Sequence, residues 1–418
     1  MIEQILKNLK YLRLEQKNTL TQLLQKNADA NEYFNSTINN IFNKWHEEHK
    51  CFDIPSGIVS ICINGSITYY PFGKTKYTKD NIFDIASMTK LYTEMIIFDF
   101  MDDYGFNFKT KIKDMVDFYD DIKELTIMDL LSFNNEFKTK YDVRECHNKK
   151  EAINALRTAY IEPEKTGIYK YTDLPSMILT DIMETITKKD YKELFNKYII
   201  DKYKLNETYL EIDSDKYITI NKGLTNDPKA NIMGGYYGHC GIKTTPTDFL
   251  KFFSTVLSHK HNKLFTTLSK TLKDDGTLCV NKALIGNSNL PVLIGNTLAS
   301  EYVTKDGFAI QGSVRCHGET SNYIINGKEY RITSSLFMDL YTQYDNVKKY
   351  EKETGKTISK EYDTDTRKGL LMTDIRTIIP YTGAFKELTN LVGTVSALEL
   401  YNILKKDNIL WYNIIEGE

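Results

Sequence analysis

Apolar residues recur at mostly three-to-four spacing near the start of the chain: Ile2, Ile5, Leu6, Leu9, Leu12, Leu20, Leu23 and Leu24. That spacing collects them on one face and predicts one or two amphipathic helices over 1–27. A second helical stretch is expected from about Asn31 to His49. The pattern then becomes strand-like in GIVSICING (57–65) and SITYYPFG (66–73). Asn64-Gly65 between them is a strong hairpin signal, because both residues tolerate the positive φ that a tight turn needs. Helical signals dominate from Ser87 to about Tyr203. From Asp306 the segments GFAIQGSVR, SNYIING and KEYRITSSLFMDLY predict successive strands, with Asn326-Gly327 as a second hairpin turn. The polar, lysine-rich run 347–369 reads as an inserted loop, and 383–405 as a closing amphipathic helix. No fixed-period repeat is present.

The order hairpin, helical middle, antiparallel strands, terminal helix predicts an α/β (α+β) fold. In it an antiparallel sheet is flanked by helices and interrupted by a helical subdomain at about 105–245. Residues 1–49 form an N-terminal helical extension in this reading, and 50–418 the main domain.

Composition narrows the function. The chain has 418 residues, 41% hydrophobic and 26% charged, which is ordinary for a globular protein. Lys+Arg is 54 against Asp+Glu 56, a formal net charge of −2. That balance argues against binding nucleic acid through bulk charge. Six cysteines, at 51, 62, 146, 240, 279 and 316, form no C-x-x-C pair and do not read as a disulfide framework or a zinc site. The first twenty residues carry charges every few positions, unlike a secretory signal, and no apolar run reaches 18 residues. The expectation is a cytoplasmic protein with no membrane span.

Three motifs are set aside. Gly355-Lys356-Thr357 lacks the glycine five positions earlier that a phosphate loop needs; Tyr350 stands there. His46 and His49 are three apart rather than the four of a helical zinc-protease motif. His259 and His261 lie in a polar run that reads as surface.

Chemistry concentrates in NIFDIASMTKLYTEMII (81–97). Ser87 and Lys90 form Ser-x-x-Lys, and Ser87 is the only serine in the chain with lysine at +3. Three residues apart on a helix are neighbours on one face, so the ammonium can sit beside the hydroxyl. A helix start at Ser87 adds positive potential there. A free serine is a weak nucleophile and needs such an activating neighbour.

These residues and their context resemble the serine β-lactamase and penicillin-binding superfamily, nearest to its class C-like esterases and D-peptidases. IPSGIVSICINGSITYY followed by FDIASMTKLYTEMII is similar to its opening. LTIMDLLSFNNEF (125–137) is similar to the helix after the nucleophile. GIYKYTDLPSMILTDIMETIT (167–187) is similar to its Tyr-Ser-Asn/Asp segment. NDPKANIMGGYYGHCGIKTTPTDFLKFF (226–253) resembles the Asp-x-x-Ala…Gly-Gly-x-x-Gly-His-x-Gly segment of the esterase-like branch. The resemblance covers roughly 50–345.

The resemblance implies an acyl-enzyme on Ser87, with Lys90 and Tyr171 as the acid/base pair. A tyrosine of ordinary pKa near 10 needs a nearby ammonium for that task. Asp173, where Asn is commoner, is implied to offer charge to substrate, and His239 to line the cleft. The third motif, Lys/His-x-Gly on a strand, supplies an oxyanion N–H. Two placements compete: Ile310-Gln311-Gly312 followed by Ser313, and His317-Gly318-Glu319 followed by Thr320. The first is favoured, because glycine admits close backbone approach, whereas Glu319 would oppose a developing oxyanion. Its Ser313 N–H then becomes the donor, and His317 a nearby structural or cleft-rim residue. The expected function is a serine hydrolase acting on an ester, amide or D-amino-acid peptide, with no metal or organic cofactor. Its partner is a small-molecule or peptide substrate. The alternative is an inactive member that binds a peptide or small molecule.

Overall fold

A computed structural model describes residues 14–48, 56–133, 135–168, 170, 172–218, 225, 227–256, 295–296, 314–325, 328–339, 349, 352–355 and 375–406. The elements used below are, in chain order, α1 (Leu14–Gln25), α2 (Ala30–Glu48), β1 (Ser56–Ile63), β2 (Ser66–Phe72), β3 (Phe83–Asp84), α3 (Thr89–Tyr104), α4 (Leu174–Thr187), β4 (Thr208–Tyr209), β5 (Lys243–Thr244), α5 (Pro246–Val256), β6 (Gly295–Asn296), β7 (Val314–Ile325), β8 (Lys328–Asp339) and α6 (Ile375–Lys406). Contacts divide the chain into two units. One comprises Met1–Asn81, Ala283–Glu361 and Leu371–Glu418; the other comprises Ile82–Lys282 and Tyr362–Leu370.

The first unit is built on an antiparallel five-stranded sheet of order β2-β1-β8-β7-β6. The β1–β2 hairpin falls where the Asn64-Gly65 signal predicts, with both turn residues at positive φ. Gly57 is required by crowding: a Cβ there would meet the Phe72 ring at 2.3 Å and the Phe337 carbonyl at 2.4 Å. Phe34, Ile38 and Phe42 of α2, Val59, Ile61, Tyr70 and Phe72 of the hairpin, and Leu388, Val392 and Val395 of α6 share one core. Leu20 and Leu24 of α1 join it, so both helices expected as an extension bury their apolar faces with the sheet.

Phe34 sits at the centre of that core, fully buried, with its ring 5.0 Å from that of Tyr70 and 6.4 Å from that of Phe72. Phe34→Ala should destabilise this unit by about 3–5 kcal/mol, the usual cost of an aromatic-sized cavity. Denaturant unfolding followed by circular dichroism checks it; a loss below about 1 kcal/mol would mean the core closes over the gap.

Two expectations need correction. The segments expected as separate strands around 307–327 include one continuous strand, β7, which runs unbroken through the polar stretch 317–320. Ladder hydrogen bonds are made by backbone, so His317 to Thr320 stay in register opposite Leu336 to Thr333 despite their polarity. The helical middle also holds a two-stranded ribbon, Asn135–Thr139 against Ala159–Thr166. β7 and β8 close at Ile325 opposite Lys328, leaving two residues between them, as the second Asn-Gly signal requires. Of the polar run 347–369, Lys349 and 352–354 are helical. No described helix is long and apolar enough to cross a membrane.

The second unit is organised around α3, which is buried along most of its length. Tyr92 stacks on Phe252 of α5 at 3.8 Å, with ring planes 8° apart. Gly105, at φ 72°, ends α3 by donating its N–H to the Met101 carbonyl. The short sheet β3-β5-β4 stands beside the start of this helix. It delivers Asp84 two residues ahead of Ala86 and three ahead of Ser87.

Candidate active site

Ser87 lies in a 3₁₀ turn, Ala86–Met88, that runs directly into α3. The turn starts with strain. Ala86 has φ 46°, a left-handed conformation that costs a residue with a Cβ about 1–2 kcal/mol. Asp84 holds it: its Oδ1 accepts the Ala86 N–H at 2.7 Å, and its Oδ2 accepts the Thr225 hydroxyl at 2.7 Å. The sharp turn lifts Ser87 to a partly exposed position at the positive end of the helix.

Lys90 follows one helical turn later and is buried. Its Nζ donates to Ser87 Oγ at 2.9 Å, to Asp173 Oδ1 at 2.7 Å and to the His239 carbonyl at 3.3 Å. The spacing read as Ser-x-x-Lys therefore does what helix geometry predicts, and two distant segments converge on the same ammonium.

Asp173 stands just before α4, whose first turn carries Pro175. Its second oxygen is engaged too: Lys229 Nζ lies 2.8 Å from Oδ2. Lys229 belongs to the short helix Pro228–Ile232, capped by Asp227, whose Oδ1 accepts the Ala230 N–H at 2.9 Å. Asp227 also approaches Lys229 at 3.5 Å and His239 Nε2 at 3.0 Å. Ser87, Lys90, Asp173, Lys229, Asp227 and His239 thus form one chain of contacts, with two ammoniums alternating with two carboxylates.

Burial alone would push the Asp173 carboxyl up. Lys229, Lys90 and His239 outweigh it and hold Asp173 well below the usual carboxylate range. The same balance operates at Asp227, where Lys229 and His239 overcome burial and keep the group ionised. Burial pulls Lys229 down, but Asp173 and Asp227 more than restore it, so its ammonium is held above the ordinary lysine range. Buried charges persist only when paired in this way.

The loop carrying His239 is fixed by glycine. A Cβ on Gly238 would stand 1.9 Å from Thr180 Oγ1 and 2.9 Å from the Ser176 carbonyl, both on α4. The Gly238 carbonyl accepts the Thr93 hydroxyl of α3 at 2.7 Å. His239 has no exposed surface. Its side chain is a buried support paired with Asp227, and not a wall of the cleft as expected; only its carbonyl reaches Lys90. Among the described residues its Nδ1 has no hydrogen-bond partner.

Asp173 engages a lysine with each of its two oxygens. Tyr171, Gln311, Gly312 and Ser313 lie outside the described residues. His317 is placed by its backbone within β7, opposite Leu336 on one side and Asn296 on the other. Lys229, Asp227 and Asp84 were not singled out by the sequence reading. The signal available for them was charge inside the two motif segments, FDIAS and NDPKAN.

One oxygen or nitrogen from each of Asp173, Asp227 and His239 lies within 4.8 Å of the others, a cluster that could collect a cation. The donor set does not favour it. Both carboxylates are already neutralised by Lys90 and Lys229, and a divalent ion would have to displace an ammonium.

Comparison with known proteins bears on this arrangement. The beta-lactamase family model matches residues 47–281. Teichoic acid D-alanine hydrolase of Staphylococcus aureus is 23% identical over 248 residues, covering 54% of this chain and 62% of that protein. The chain therefore matches less than two thirds of the length of these curated relatives. Among solved structures, a beta-lactamase/D-alanine carboxypeptidase from Pseudomonas syringae has a TM-score of 0.50 at 12% identity, covering 78% of this chain and 99% of that one. A class C beta lactamase from Rhodobacter sphaeroides has a TM-score of 0.47 at 14% identity, over 84% and 99% of the two chains. The family match spans more than half of the sequence and takes in Ser87, Lys90, Asp173 and His239; the chain belongs to the beta-lactamase family.

Proposed function

We propose that this protein is a serine hydrolase that cleaves a D-alanyl ester or a related D-amino-acyl bond through an acyl-enzyme on Ser87. The observation that carries the reading is the 2.9 Å contact between Lys90 Nζ and Ser87 Oγ, with Lys90 anchored from behind by Asp173. An anchored ammonium cannot swing away from the hydroxyl, which is the positioning that acid–base chemistry needs.

In this reading Ser87 Oγ attacks the acyl carbon while its proton passes to the Lys90–Tyr171 pair. The C–O or C–N bond then breaks, and the same proton moves to the leaving group. Water adds to the acyl carbon by the reverse path and releases the acid. The D-alanyl preference draws on the similarity to teichoic acid D-alanine hydrolase.

The test is turnover of D-alanyl and L-alanyl esters of one alcohol by the full chain. We expect D-alanine release to exceed L-alanine release by about tenfold or more, the range that pocket complementarity supplies. A fluorophosphonate adduct should form on Ser87, seen by intact mass and peptide mapping. Equal turnover of the two enantiomers would remove the substrate reading, and no adduct would remove the nucleophile.

A further inference from the structure

Lys229 is the ion-pair partner that no motif expectation assigned. Its side chain is only 14% exposed, and its ammonium meets Asp173 at 2.8 Å on the carboxylate oxygen that Lys90 does not use. One carboxylate therefore spans two ammoniums, one on the nucleophile's helix and one from the Pro228–Ile232 segment. We propose that Lys229 is a positioning residue of the hydrolytic site: by occupying Oδ2 of Asp173 it limits the negative charge that Asp173 presents to Lys90, and so lets the Ser87–Lys90–Tyr171 proton path give up its proton at lower pH. This rests on the reading of Ser87 as nucleophile given above.

The argument is electrostatic. Asp173 alone would bind the Lys90 proton tightly, and a lysine whose proton is locked cannot share in taking one from serine. A second ammonium on the same carboxylate opposes this. It competes for the negative charge and repels the Lys90 ammonium directly. Lys229 itself stays charged, since Asp173 and Asp227 outweigh the cost of its burial.

The charged and titratable groups around the pair come from every neighbouring element. They are Lys90 on α3, Asp173 ahead of α4, Asp227 at the cap of the short helix, and His239 and the buried Cys240 in the glycine-flanked loop. Asp84 lies before the nucleophile, and Arg144, paired with Asp142, stands near Asp227. None of these but Lys229 brings a second ammonium onto Asp173 among the described residues.

The experiment measures the rate of Ser87 labelling by a fluorophosphonate between pH 5 and pH 10 for the full chain, Lys229→Met and Lys229→Arg. Removing a positive charge favours the protonated state, so the midpoint of the acid limb should rise by about one pH unit in Lys229→Met. Lys229→Arg should bring it back. A lysine with a merely structural role would lower the rate at every pH and leave the midpoint unchanged, which would overturn the proposal. Lys229→Gln is the second variant should the methionine protein fail to fold. A second arm needs no turnover: with 13C-labelled lysine, the Lys90 resonance, identified by its loss in Lys90→Arg, should titrate at higher pH in Lys229→Met than in the full chain. No displacement there overturns the proposal even if Ser87 proves unreactive, whereas missing labelling with a displaced Lys90 titration overturns only the nucleophile reading.

Discussion

Ser87→Ala should abolish covalent labelling by fluorophosphonate or penicillin probes while leaving the fold intact. Removing the attacking atom of a nucleophile–base unit costs about 10⁴-fold or more, because no other group stands where the bond must form. The stability change should be small, within about 1 kcal/mol, for three reasons. Ser87 is partly exposed. The turn around it is made by backbone, with the Met88 N–H donating to the Ile85 carbonyl at 2.9 Å. Lys90 keeps Asp173 and the His239 carbonyl when the hydroxyl is lost. Intact mass after probe treatment reads the labelling, and thermal unfolding reads the fold. Labelling of the alanine protein at an unchanged rate would place the reactive group elsewhere.

What made the Ser87–Lys90 pair legible was local geometry. A serine and a lysine three apart meet on a helix whatever the rest of the chain does, and the apolar lead-in Ile82, Phe83 and Ile85 marks the strand that aims them. Hairpins were legible for the same reason, since Asn-Gly turn chemistry acts within four residues. The β1–β2 turn and the two-residue gap between Ile325 and Lys328 fall where that chemistry puts them.

Long-range pairing was not legible. Lys229 and Asp173 are 56 positions apart, and nothing in either segment states that the other will meet it. Asp227 could be foreseen as a helix cap, because Asp before Pro at the first helical position is a local signal. Its bond to His239 could not. His239 shows the limit most clearly. The family resemblance implied a cleft-lining role, whereas the glycine before it works sterically: Gly238 lets the loop press against Thr180 and Ser176, which buries the imidazole. β7 runs on through the polar residues 317–320 because the backbone ladder is indifferent to side-chain polarity.

Lys90→Ala and Tyr171→Phe should each slow acylation by about 10²–10⁴-fold, the usual worth of a positioned acid or base. Lys90→Ala acts through two routes. It removes the donor 2.9 Å from Ser87 Oγ, and it leaves Asp173 to Lys229 alone, so the network changes from two ammoniums against two carboxylates to one against two. The excess negative charge then stands behind a serine that must develop an alkoxide, which opposes attack. Tyr171→Phe removes no charge and takes away only the phenol hydroxyl. If the two groups share one proton path, the double variant should be little slower than the worse single one, about 10³–10⁴-fold below the full chain, because a path broken once cannot be broken again. Stopped-time labelling of all four proteins at one pH, read by intact mass, checks this. Rates that multiply, giving about 10⁶-fold in the double variant, would mean that Lys90 and Tyr171 act on separate steps.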